Sequence, residues 1–375
     1  MGFLVNEERL VSEFMELVQV DSETGEEEDI AKVLKEKFSA LGLKVEEDDA
    51  KARTGHGANN LYCTLEATAD ADPIYFTSHM DTVVPGKSIK PSIKNGKIVS
   101  DGTTILGSDD KAGLAAMFEA IRIIKEKEIP HGPLQFIITV GEESGLVGAK
   151  ALDPKKISAK YGYALDSDGP VGDIIVAAPS QARLDVTVHG KTAHAGVAPE
   201  KGVSAITIAA KAIAKMPLGR IDSETTANIG RFAGGTKTNI VCDRVELLAE
   251  ARSLVKEKLD AQVEKMKNAF EETANEMGGS ADVRVKIMYP NFNFSEEEPV
   301  VEVAKRAAKA IGRTPRVLKS GGGSDANVIN GLGIPTVNLA IGYEDIHTTN
   351  EKMPIEELVK TVEMILAIIA ETVKK

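Results

Sequence analysis

Five short segments carry residue types that bind metals or move protons: SHMDTV at 78–83, GSDDKAG at 107–113, GEESG at 141–145, LDSDG at 165–169 and HTTNE at 347–351. Each ends, or lies beside, an apolar run of strand character. Singly, each has a plainer reading. His79 can be an ordinary histidine satisfied by a neighbouring carboxylate, and Asp109, Glu142 and Glu143 can be carboxylates favoured at helix N-termini. Jointly they ask for more. Carboxylates gathered at the strand ends of one parallel sheet would repel one another and raise each other's pKa, so positive charge must sit among them. His with Asp or Glu is a nitrogen and oxygen donor set suited to zinc, with manganese or cobalt as alternatives. Asp109, Glu143 and Asp166 as ionised ligands, with one hydroxide, balance two divalent ions while His79 and His347 stay neutral. Asp81, two residues beyond His79, is placed to accept the ring's other N–H and so fix its tautomer.

The elements that must position these residues follow from apolar periodicity. Spacings of three and four over 7–18 and 30–41 predict two amphipathic helices, the second opened by Thr24 with Glu27 as a capping box. NLYCTLEA, PIYFTSHM, LQFIITVG and YGYALD read as strands, separated by helical stretches at 112–127 and 146–152. Strands alternating with helices predict an α/β fold with a largely parallel sheet covered on both faces, and ligands beyond the strands' carboxyl ends. From about 181 the texture changes. RLDVTVHG alternates with period two, and a helix at 204–216, two strands, a long charged helix at 254–277 and VRVKIMYP follow. That β-α-β-β-α-β order predicts a small ferredoxin-like α+β domain at 181–294. It is inserted into a catalytic domain made of 1–180 and 295–375, whose second part has helices near 300–311 and 354–373 around the strand TVNLA. SGGGSDAN is a loop.

Composition narrows the class. The 375 residues, 42% of them hydrophobic, suffice for a packed core and two domains. No apolar run approaches the roughly 18 residues of a membrane span, and the start lacks the basic region of a signal peptide, so a cytoplasmic protein is expected. The net charge of −12, spread without a basic cluster, argues against nucleic acid or an anionic membrane as partner. Cys63 and Cys242 are expected to be free thiols.

Taken together, SHMDTV, GSDDKAG, GEESG, LDSDG and HTTNE resemble the motifs of the dinuclear zinc exopeptidase family, which includes peptidase T, glutamate carboxypeptidase, aminoacylase and succinyl-diaminopimelate desuccinylase. The resemblance runs nearly end to end. GTTILGSDDKAGLAA, VGEESGLVGAKALD and GYALDSDGPVG are most similar to its peptidase T branch. It implies two divalent metal ions, His79 and Asp166 holding one, Glu143 and His347 the other, with Asp109 between them. It further implies Glu142 as general base, Asp81 as the residue that orients the His79 ring, and hydrolysis near the free N-terminus of short peptides, tripeptides foremost. An amidohydrolase or deacylase of N-acyl amino acids, or a carboxypeptidase, would use the same water and base; a non-catalytic dimeric binding protein would be expected to have lost Glu142 or a ligand.

In the inserted domain, HGKTAHAGVAP resembles the family segment whose histidine polarises the substrate carbonyl across a homodimer, which implicates His194. GGTKTNIV and EAR lie where relatives grip a substrate carboxylate or amide, implicating Asn239 and Arg252. SGGGSDAN resembles a loop whose backbone approaches the substrate, implicating Gly322 and Gly323, although Lys319 stands where carboxypeptidase relatives carry arginine. His189 is expected to be structural, and His56 and His131, in GHGANN and PHGP, to be surface residues.

Overall fold

A computed structural model describes residues 4–373. The chain divides into two compact units, one of residues 1–177, 294–319 and 324–375, the other of 178–293 with 320–323. The glycine-rich segment 320–323 thus groups with the second unit although it is distant from it in sequence.

The first unit is built on a mixed sheet whose centre is parallel. Leu134–Thr139, Ile74–His79, Tyr161–Ser167 and Thr336–Ala340 run side by side in that order, all in one direction. Leu61–Leu65 and Asp173–Ala178 flank them antiparallel. Every residue of Ile74–His79 and Leu134–Thr139 is buried, because helices cover both faces; such strands read as continuous apolar runs rather than alternations. The helix Ser108–Glu126 is buried from Ser108 to Ile121, and its small residues let it lie close to the sheet. A Cβ on Gly113 would sit 2.9 Å from Ser78 Oγ and 3.1 Å from the Leu165 carbonyl. The other covering helices include Glu7–Val18, Glu28–Ala40, Pro299–Ala310 and Ile355–Thr372. Parallel order brings the carboxyl ends of the central strands, and hence His79, the GEESG turn and Asp166, to one sheet edge.

One local expectation is corrected. Thr24 and Glu27 form no capping box: Glu27 is itself the N-cap of Glu28–Ala40 and makes no side-chain cap bond. The Thr24 hydroxyl donates to Asp81 Oδ2 at 2.7 Å, and the buried Glu27 carboxylate accepts the amides of Gly25 and Gly57 at 2.8 and 2.7 Å. Charged acceptors on neighbouring loops compete successfully with the helix terminus for these groups.

The second unit is an antiparallel sheet in the order Gly219–Arg220, Thr225–Gly234, Arg244–Ser253, Ser180–His189, Ser280–Tyr289. Ala205–Lys215 and Lys256–Glu276 cover one face, burying Ala182, Leu184, Val186 and Val188 with Val245, Leu247, Ala249 and Ala251. A sheet covered on one side only produces the period-two pattern seen in the sequence. The chain order is β-α-β-β-α-β with the short Gly219–Arg220 strand added. Cys63 and Cys242 are free, and among the described residues no helix is long and apolar enough to cross a membrane.

Candidate metal centre and active site

His79 is the last residue of its strand and is buried. Its Nε2 lies 2.9 Å from Asp109 Oδ1 and 3.8 Å from Asp166 Oδ1. The other oxygen of Asp109, Oδ2, lies 3.1 Å from His347 Nε2, and that nitrogen is 2.9 Å from Glu143 Oε1. Asp109 thus places one oxygen on each of two imidazoles, with Asp166 beyond the first and Glu143 beyond the second. Donor atoms of His79, Asp109 and Asp166 lie within 4.8 Å of one another, as do those of Asp109, Glu143 and His347. A further group of His79, Glu142 and Glu143 meets the same limit.

The electrostatics fit a site for cations. Burial penalises the His79 cation, yet Asp109 and Asp81 outweigh it and hold the ring pKa well above its ordinary value. His347 is raised to about 10 by its bonds to Asp109 and Glu143. Burial also works against ionised Asp109, but His347 and His79 prevail and keep it below the usual carboxylate range. Asp166 and Glu142 fare differently: burial, then neighbouring carboxylates, push both well upward, Asp109 acting on Asp166 and Asp325, Glu143 and Asp109 on Glu142. Two protonated imidazoles therefore do not satisfy the whole cluster. Divalent cations on these nitrogen and oxygen donors would, and the donor set fits them.

The supporting residues are specific. His79 Nδ1 is 3.0 Å from the Asp81 carbonyl and 3.4 Å from its carboxylate. That carboxylate also accepts the amides of Glu142 and Glu143 at 3.0 and 3.2 Å, so Asp81 ties the glutamate turn to the histidine strand. Asp166 is held through its backbone by Asn338 and receives the Tyr343 hydroxyl at 3.2 Å. The buried Glu351 carboxylate accepts the amides of Leu106, Gly107 and Asp109 and the Ser108 hydroxyl at 2.6–3.2 Å. One side chain four residues beyond His347 thereby fixes the loop that delivers Asp109. His347 itself has φ +61°, a conformation costing a non-glycine residue roughly 1–2 kcal/mol.

Sequence reasoning passed over Glu351, although it ends HTTNE, because nothing in the sequence says which backbone it will meet. It also passed over Lys111, inside GSDDKAG. That lysine is buried with its Nζ 2.7 Å from Ser22 Oγ, and burial lowers its pKa to about 8. Asp325, in SGGGSDAN, accepts the Thr139 hydroxyl at 2.5 Å and is pushed up to about 6 by burial. Two histidines expected at the surface are not there. His131 is buried with Nδ1 2.8 Å from the Gly132 carbonyl, and His56 is half-buried with Nε2 2.8 Å from Ser144 Oγ. Glycine and proline neighbours mark a loop but do not set its depth.

The remaining candidates belong to the second unit. His194 is exposed, and its Nδ1 accepts the Gly196 amide at 3.2 Å, which leaves the ring proton on Nε2. Asn239 lies beside it, its carbonyl accepting the Ala195 amide at 3.0 Å. Arg252 faces Glu250 with two bonds of 3.1 Å and reaches the Gly321 carbonyl at 3.4 Å. The Gly322 amide donates to Ser320 Oγ at 3.0 Å, and a Cβ on Gly323 would fall 2.3 Å from the Tyr289 ring. His189 Nε2 is 3.0 Å from Asp282.

Comparison with known proteins gives the family. The structure of aminopeptidase PepT from Bacillus cereus ATCC 10987 matches at 74% identity, covering all of both chains, with a TM-score of 0.96. A tripeptidase from Staphylococcus aureus subsp. aureus Mu50 matches at 54% identity over 98% of this chain and 99% of its own, also with a TM-score of 0.96. An uncharacterized protein, YqjE, of Bacillus subtilis strain 168 is 68% identical over 371 residues, 99% of this chain and all of its own. The profile of peptidase family M20/M25/M40 matches residues 75–371, a span that contains all five motifs. The chain is a hydrolase that belongs to peptidase family M20/M25/M40.

Proposed function

We propose that the chain is a two-metal aminopeptidase that cleaves the peptide bond next to the free N-terminus of short peptides, tripeptides foremost. The observation that carries this reading is Asp109, with one carboxylate oxygen on each of the two imidazoles. The activities of the two solved relatives, an aminopeptidase and a tripeptidase, support it. His79 and Asp166 would hold one ion, Glu143 and His347 the other, with Asp109 between; zinc suits these donors, manganese or cobalt being alternatives. Such ions, when bound, supply Lewis acidity that polarises a carbonyl and lowers the pKa of water toward about 7.

Within that setting Glu142 takes the proton of the attacking water and returns it to the leaving amine. Its raised pKa, caused first by burial, suits a group that must hold a proton between those two steps. Asp81 orients the glutamate turn through the two amides it accepts. His194, with its proton on Nε2, donates to the developing oxyanion, acting across a homodimer formed through residues 181–294. Asn239, Arg252 and the backbone of Gly322 and Gly323 bind substrate. Residues 1–180 and 295–375 form the catalytic domain, and the protein works in the cytoplasm. The test is a panel of one free tripeptide, its N-acetylated form and an N-acetyl amino acid, given to metal-loaded protein. Cleavage of the free tripeptide alone, with release of its first residue, is expected. Preference for the N-acetyl amino acid would make the protein a deacylase, and release of the last residue a carboxypeptidase.

A further inference from the structure

We propose that His56 and Ser144 form a clamp that fixes the Glu142–Glu143 turn, which makes His56 a positioning residue for hydrolysis. The proposal rests on the reading of Glu142 and Glu143 given above.

Two consecutive glutamates cannot both face one site from a regular helix or strand, so GEESG has to turn sharply. Gly141 takes φ +58° and Leu146 φ +60°. The turn closes on itself through the amides of Gly145 and Leu146, which donate to the Glu142 carbonyl at 2.9 and 2.7 Å. Asp81 secures one side of it, by the amides of Glu142 and Glu143. His56 secures the other. Its Nε2 lies 2.8 Å from Ser144 Oγ, and that hydroxyl donates its own proton to the Gly141 carbonyl at 3.1 Å. The serine oxygen must therefore accept from the ring, which assigns the proton to Nε2. The same ring packs on the first residue of the turn: a Cβ on Gly141 would fall 2.5 Å from His56 Cδ2.

The clamp stands on its own footing. The His56 amide donates to Thr54 Oγ1 at 3.2 Å, and the next amide, Gly57, donates to the buried Glu27 at 2.7 Å. Glu27 also holds Gly25 at 2.8 Å, one residue from Thr24, which donates to Asp81. The two anchors of the turn, His56 and Asp81, are thus tied to one loop at 24–27. Without the imidazole the turn keeps only its internal bonds and Asp81, and it carries two carboxylates that must each be placed to a fraction of an ångström.

Four variants test this: His56→Ala, His56→Gln, Ser144→Ala and the double alanine variant. A misplacement of 1 Å can cost about 10²-fold in rate, so His56→Ala is expected to lower kcat by about 10- to 10²-fold with KM nearly unchanged. His56→Gln, which can return an N–H to Ser144, should recover most of the loss. Ser144→Ala should cost less in the His56→Ala background than alone, because both sever one contact. An independent readout is amide hydrogen exchange at Glu142 and Glu143 in metal-free protein. It should speed up by about tenfold in His56→Ala, the equivalent of one hydrogen bond, and slow again in His56→Gln. Unchanged exchange, or strictly additive effects of the two alanine substitutions, would overturn the clamp. Faster exchange with unchanged kcat would overturn the positioning role if Glu142→Gln is inactive. If Glu142→Gln is fully active as well, the failure lies with the assignment of the base. Should His56→Ala not fold, Ser144→Ala carries the test: it severs the same contact, so lower kcat with faster exchange at Glu142 and Glu143 is expected, and unchanged values of both would overturn the clamp.

Discussion

Metal-free protein at pH 7 is expected to hold at least two more protons than metal-loaded protein, one on each of the two imidazoles. His347 is raised to about 10 by Asp109 and Glu143, and His79 is raised by Asp109 and Asp81 against the opposing effect of burial. Both rings are therefore cationic at pH 7 when no ion is present. A ring nitrogen that ligates an ion must be neutral, so binding expels one proton from each. Asp166 and Glu142 are pushed upward as well, and any proton they carry adds to the count. The sign is fixed by the direction of the shifts. A histidine raised on folding stabilises the metal-free fold fully below its unfolded pKa of about 6.5, and for His347 that support is lost as pH rises through about 10. Its side chain is 48% exposed, so solvent screening trims the energy of that ion pair; the proton count is unaffected while the pKa stays above 7. Apparent metal affinity should correspondingly climb about tenfold per pH unit for each proton expelled. The assay is calorimetric titration of zinc into metal-free protein at pH 7 in buffers of different ionisation enthalpy, where the slope of heat against that enthalpy gives the protons released. His347→Gln should lower the number by about one. A slope near zero, or a count indifferent to His347→Gln, would refute the electrostatic account of the site.

Three further outcomes are expected. Glu142→Gln should cut turnover by at least about 10²-fold, the lower end for a lost general base, while elemental analysis still finds about two ions per chain; retained turnover would move the base elsewhere. Glu351→Gln turns an N–H toward donors that now meet a carboxylate. With each unsatisfied buried donor costing about 1–3 kcal/mol, urea unfolding of the metal-free variant should show a loss of roughly 2–4 kcal/mol, and a loss under about 1 kcal/mol would mean that the Asp109 loop does not depend on this carboxylate. Mixing inactive Glu142→Gln with inactive His194→Ala protein under subunit exchange should restore activity, because one site of each mixed dimer combines both intact residues; no recovery despite exchange would place His194 in its own chain's site or outside catalysis.

The sequence by itself determined the parts of this protein that depend on local pattern. The apolar pieces PIYFTSHM and LQFIITVG, which lack a period-two alternation, read as strands buried on both faces, and the period-two run 180–189 reads as a strand of a sheet covered on one, so the α/β core and the inserted α+β unit are both legible in the sequence pattern. Ligand-type residues at the carboxyl ends of the parallel strands, His79 closing Ile74–His79 and Asp166 near the end of Tyr161–Ser167, converge because parallel strands deliver those ends to one edge. Tertiary structure alone decided the contacts between segments distant in sequence. Glu351 could not be known to meet residues 106–109, nor Thr24 to leave its helix for Asp81, nor His56 to close on Ser144, 88 positions away. A side chain's type and spacing state what it can bond to; its partner is set by which loops the core brings together, and buried polar groups then take whatever donor or acceptor lies there, since leaving them unpaired costs more than any local preference.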